Sequence, residues 1–121
     1  MNAQETVTEF IACWNRMEVP AALAMMAPDA IWENVPMGPA KGMTEIMALM
    51  EKFPPSEGIE FIVHHSAMMG EVVLNERTDR FLIGGKWREI RVMGTFEINA
   101  EGKIQHWRDY FDGAQLNAAF A

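Results

Sequence analysis

Apolar residues fall at helical spacing through the first half of the chain and at strand spacing through the second. From Asn2 to Met17 they recur at Val7, Phe10, Ile11, Trp14 and Met17, one face of a helix, with Asn2 or Thr6 available as its cap. A short second helix follows Pro20, carrying Leu23, Met25 and Met26 until Pro28-Asp29 ends it. Ala30 to Asn34 reads as a brief strand, left through the loop Pro36-Met37-Gly38-Pro39. A third helix begins near Thr44 and shows Met43, Ile46, Met47, Met50 and Phe53 before Pro54-Pro55 stops it. Four strands complete the order: Ile59 to Met68, Glu71 to Ile83, Trp87 to Ile98, and Lys103 to Phe111. Turn residues at Gly70, Gly84-Gly85 and Ala100-Glu101-Gly102 separate them, so they form an antiparallel meander. Helices followed by such a sheet predict an α+β domain, with a curved, mostly antiparallel sheet wrapped over the N-terminal helices and a hollow between.

Two places break the pattern. In Val72-Val73-Leu74-Asn75-Glu76-Arg77-Thr78-Asp79-Arg80-Phe81, strand alternation sends Arg77 and Asp79 to the same face as Val73, Phe81 and Ile83. In His106-Trp107-Arg108-Asp109-Tyr110-Phe111, Asp109 shares a face with Trp107 and Phe111. Two acids and an arginine therefore point toward an apolar interior. An unpaired ionised carboxylate there costs several kcal/mol or takes up a proton, so the set persists only if its members satisfy one another. That arrangement also gives a site one protonated and one ionised carboxyl group.

Composition narrows the classes. A chain of 121 residues, half of them hydrophobic, suits one domain over residues 1–121 with a single core. The net charge of −7, with no local Lys/Arg cluster, is unfavourable for a phosphate backbone, so no nucleic-acid partner is expected. No apolar stretch is long enough for a membrane span, and there is no basic start followed by an apolar run, so a cytoplasmic protein is expected. Cys13, the one cysteine, reads as a small buried apolar residue. Eleven methionines could line an irregular apolar hollow, or simply fill a core.

The strings Asn75-Glu76-Arg77-Thr78-Asp79, Met93-Gly94-Thr95-Phe96-Glu97-Ile98, Trp107-Arg108-Asp109-Tyr110-Phe111-Asp112 and Trp32-Glu33-Asn34-Val35-Pro36 together resemble the limonene-epoxide hydrolase family. The resemblance covers nearly the whole chain. It implies the cone-shaped α+β barrel with a central pocket shared with nuclear transport factor two, ketosteroid isomerases and SnoaL-like cyclases. It further implies a homodimer acting on a small apolar epoxide, cyclic or terpenoid-sized, which it opens to a vicinal diol. Residue by residue, Asp109 is similar to the family's general base, Asp79 to its general acid, Arg77 to the cation between them, and Asn34 to a residue that holds the attacking water. An acid and a base suffice for this reaction, so neither metal nor cofactor is expected. Where the family has a tyrosine this chain has Trp32, whose indole N–H only donates; Trp32 either helps hold the water or narrows the pocket.

Other readings of the same residues stay open. Arg77 and Asp79 could be an exposed ion pair on a sheet edge, Asn34 could cap the turn into Pro36, and Trp32 could be a core aromatic. His64 and His65, being adjacent, are expected on opposite faces of their strand, while His106, Glu33, Glu76 and Arg108 fall on the faces away from the acids. A ketosteroid-isomerase-like or SnoaL-like proton-transfer enzyme and a non-catalytic binder of hydrophobic ligands remain rivals, because fold alone does not decide function.

Overall fold

The computed structural model describes residues 1–121. Its element order is α1 (Ala3–Asn15), α2 (Val19–Ala24), β1 (Met26–Asn34), β2 (Gly38–Lys41), α3 (Gly42–Met50), β3 (Gly58–Met69), β4 (Val72–Ile83), β5 (Lys86–Ile98), β6 (Ile104–Tyr110) and α4 (Gly113–Ala119). The six strands form one sheet in the order β2-β1-β6-β5-β4-β3, antiparallel throughout except for β1 beside β6. The expected α+β class is thus observed. The barrel is corrected: the sheet curls without closing, and β2 and β3 remain as its edges. One reason lies at β3, where the Asn15 side chain at the end of α1 takes up both backbone groups of Phe61, accepting from its N–H (2.7 Å) and donating to its carbonyl (3.3 Å). A strand edge satisfied in this way has less need of a further strand.

Helix α1 begins where Asn2 and Glu5 cap each other, the Asn2 side chain accepting from the Glu5 N–H and the Glu5 carboxylate from the Asn2 N–H. Its stripe of Val7, Phe10, Ile11 and Trp14 is buried as the spacing predicts. Phe10 is the centre of an aromatic cluster, meeting Trp14, Phe96 and Trp107 edge-on with centroids 5.8, 6.2 and 5.1 Å away. Phe10 thus packs onto β5 and β6, while Trp14 and Asn15 at the end of the helix reach Phe61 of β3.

Several boundaries move for identifiable reasons. The second helix ends at Ala24, because the Met25 carbonyl accepts from the Ile104 N–H and Met26 opens β1 against β6. Pro28 then lies in a stretch where register is broken between Met26 and Ile31, a place where a residue without an N–H does least harm. The expected loop Pro36–Pro39 is shorter: Gly38 (φ 94°) turns the chain so that β2 pairs back along β1, with Pro39 on the edge strand. Helix α4 has no counterpart in the hydrophobic pattern, and no residue of it is fully buried. It starts from the Asp112 carboxylate accepting from the Ala114 N–H.

The histidine expectation is also corrected. The register of β3 slips between Val63 and His65, so His64 and His65 both reach the outer face, 2.8 Å from Thr78 Oγ1 and Glu76 Oε1 respectively. His106 and Arg108 remain on the outer face of β6, where Arg108 bonds Glu97 at 2.7 Å.

Candidate active site

Lateral register explains why residues distant in sequence meet. Asn75 on β4 stands beside Gly94 on β5, Gly94 beside Asp109 on β6, and Asp109 beside Asn34 on β1, a continuous polar row across the inner face. Two residues along each strand lies a second row, Val73, Phe96, Trp107 and Trp32, entirely apolar in character. The rings of Phe96, Trp107 and Trp32 stack face to face, with interplanar angles of 19° and 18°. Arg77 and Asp79 continue β4 on the other side of the polar row.

Arg77 ties the polar residues together. Its Nε and Nη2 donate to the two oxygens of Asp79, both at 2.9 Å, a bidentate fork. Nη2 also donates to Asp109 Oδ2 at 2.9 Å, and Nη1 donates to Asn75 Oδ1 at 2.9 Å. The rings of Phe61 and Phe96 lie 5.6 and 5.9 Å from the guanidinium carbon. With Arg77 at 1%, Asp79 at 4% and Asp109 at 5% exposure, on strands flanked from both sides, the edge ion-pair reading is excluded.

Asp109 has a second anchor: Trp107 Nε1 donates to its Oδ1 at 2.8 Å. Burial pushes the Asp109 carboxyl above the ordinary 3.8 to about 6, with the Arg77 charge opposing the rise and Asp79 reinforcing it. Burial works against the charge on Arg77, but Asp109 and Asp79 outweigh it and strengthen its hold on the proton.

These groups close one end of a cavity of about 410 Å³ lined by 23 residues, 17 of them hydrophobic. Its polar side chains are Asn34, Ser56, Asp79 and Asp109; Trp32 and Trp107 form part of the wall, and Arg77 stands behind the acids without reaching the cavity. The residues foreseen from sequence are therefore brought together, with Arg77 behind the acids and absent from the cavity lining. Neither the Asn34 Nδ2 nor the Trp32 Nε1 has a partner within the protein, although both are buried. No group of three or more His, Cys, Asp or Glu side chains is arranged to hold a metal ion.

The model of the limonene-1,2-epoxide hydrolase catalytic domain matches residues 1–121. The chain belongs to that family. Epoxide hydrolase EphG of Mycobacterium tuberculosis is 35% identical over 89 residues, which are 74% of this chain and 59% of that protein, so the match spans well under two thirds of the relative. A solved M. tuberculosis limonene-epoxide-hydrolase-like epoxide hydrolase superposes with a TM-score of 0.82 at 29% identity, over 97% of this chain and 87% of its own. A SnoaL-like protein of Shewanella putrefaciens shares the fold, with a TM-score of 0.84 at 12% identity over 98% and 95% of the two chains.

Within this family fold, two participants go unnoticed in the sequence, Asn75 and Gly94. Asn75 follows from the same alternation as Arg77, but an asparagine before a glutamate gives no sign of burial. Gly94 is the tightest point of the site: a Cβ there would collide with Arg77 Nη1 and stand 2.8 Å from Asn75 Oδ1 and 2.9 Å from Asp109 Oδ1. A glycine inside a strand does signal such close approach. Gly94→Ala is expected to destabilise the fold by about 1–3 kcal/mol and to displace the Arg77 guanidinium; an unchanged urea midpoint would show that the neighbours yield freely.

The raised Asp109 pKa sets a pH dependence of stability. Because the folded state holds this proton more tightly than the unfolded chain, the contribution is fully present below 3.8 and is lost as pH rises through about 6. Asp109→Asn, which cannot ionise, should therefore gain melting temperature relative to the parent protein across that window. A difference that is flat with pH would contradict the assignment.

Proposed function

We propose that the protein is an epoxide hydrolase that adds water to an apolar, cyclic or terpenoid-sized epoxide in one cofactor-free step, giving a vicinal diol. The observation that carries this reading is the pair of enclosed carboxyl groups, Asp79 and Asp109, bridged by one guanidinium at the polar end of an otherwise apolar cavity. With one cation and two acids sealed together, a single proton makes the cluster neutral. Asp109 takes a proton from water as the oxygen attacks one epoxide carbon, and Asp79 gives its proton to the ring oxygen as the carbon–oxygen bond breaks. The cluster carries the same charge before and after, and a proton returning from Asp109 to Asp79 completes the cycle. A carrier of hydrophobic ligands would gain nothing from two buried acids.

A water-holding role for Asn34 is supported by its position beside Asp109 in register, its place in the cavity lining and its unpartnered Nδ2. Trp32 shapes the pocket through its stack on Trp107 at 5.1 Å, and its buried Nε1, without a partner in the protein, leaves a donor for the water. For assembly, we propose a homodimer through the outer face of the sheet, where Leu74, Met93 and Tyr110 are about half exposed among charges of both signs; a monomer in light scattering at micromolar concentration would count against it. The buried lone thiol of Cys13 suits a reducing cytoplasm.

The deciding experiment is a single turnover with excess enzyme in heavy-oxygen water. The first diol should carry solvent oxygen; label found instead in Asp109 or Asp79, with unlabelled first product, would make that aspartate a nucleophile and overturn the scheme. Asp109→Asn and Asp79→Asn should each remain folded and lose at least about 100-fold in turnover. Trp32→Tyr should alter the range of epoxides accepted; a simple rise in rate with unchanged range would confine Trp32 to the water site.

A further inference from the structure

Every residue with positive φ in this chain is a glycine except Met17, at φ 57°. Met17 closes α1. Its N–H bonds the Trp14 carbonyl at 2.9 Å and the following Glu18 N–H bonds the Cys13 carbonyl at 2.9 Å, the paired bonds that end a helix through one left-handed residue. That position favours glycine, since a Cβ in the left-handed region costs on the order of 1–2 kcal/mol. A strained residue that persists invites a functional explanation.

The cavity supplies one. Met17 is among its lining residues yet 40% exposed, whereas Asp79 and Asp109 at the polar end are 4% and 5% exposed. Met37, likewise lining and 50% exposed, shares the rim, as do Pro54 and Pro55. The helix end cannot drift from this place, because the Asn15 side chain is bonded to both backbone groups of Phe61. A flexible, polarizable thioether is thus fixed at the mouth by a backbone conformation that glycine would adopt without strain.

We infer that Met17 is a specificity-determining residue, holding an apolar part of the substrate at the exposed rim of the cavity and favouring long apolar epoxides over short ones. This rests on the cavity being the epoxide site. The test compares the parent protein, Met17→Gly and Met17→Leu on epoxyhexane and epoxydodecane, with binding of the two corresponding diols followed by tryptophan fluorescence. Met17→Gly should raise KM for epoxydodecane about 10-fold, leave kcat and both constants for epoxyhexane within about two-fold, and keep or raise Tm; Met17→Leu should restore KM. The inference is overturned if KM for the long substrate does not move, if both substrates suffer equally, or if Met17→Gly lowers Tm as loss of a packing residue would. Should the parent protein open neither these epoxides nor a cyclic one such as cyclohexene oxide, the hydrolase reading fails, and the same contrast in diol affinity still decides the role of Met17.

Discussion

Everything at the site depends on one guanidinium having no access to water. Arg77 can stay ionised inside the sheet only because four of its N–H groups are taken by Asp79, Asp109 and Asn75, and those acids can stay buried only because Arg77 is there. Removing any member leaves an uncompensated polar group in an apolar setting, a cost of about 3–5 kcal/mol for a broken buried pair. The arrangement is held at that cost rather than for stability, since apolar residues of similar volume would serve the core as well.

The sheet makes the interdependence possible. Asn34, Asn75, Gly94 and Asp109 lie on four different strands but in one lateral row, so geometry fixed by backbone hydrogen bonds sets the spacing of the polar groups. The aromatic row beside it, with Trp107 between Trp32 and Phe96, prevents Asp109 from rotating away, because the residue that stacks is also the one that donates to its carboxylate. Packing and electrostatics are thereby joined in a single side chain.

Much of this was legible in the chain because strand alternation is a strict two-residue rule. It sends Arg77, Asp79 and Asp109 inward with no knowledge of their partners, and the one-sided stripe of α1 was equally readable. What failed to show depends on relations between strands. Lateral register decides that Gly94 sits where a methyl group cannot, and nothing in the sequence states register. The slip at His64 defeats the alternation rule at one step and moves a histidine to the other face. Helix α4 escapes a hydrophobic-period reading because it buries no residue completely, although Asp112 ahead of Gly-Ala-Gln-Leu was a usable start signal. Whether the sheet closes is likewise a relation between its edge strands β2 and β3, which no local pattern states.

The bond from the Trp107 indole to Asp109 has a spectroscopic consequence. Indole absorption and the shielding of its nitrogen respond to the charge of the acceptor on its N–H. Trp107 therefore serves as an internal indicator of the carboxylate it holds, and its indole nitrogen resonance, resolved from those of the other three tryptophans, would follow that group with no substrate present and no added dye.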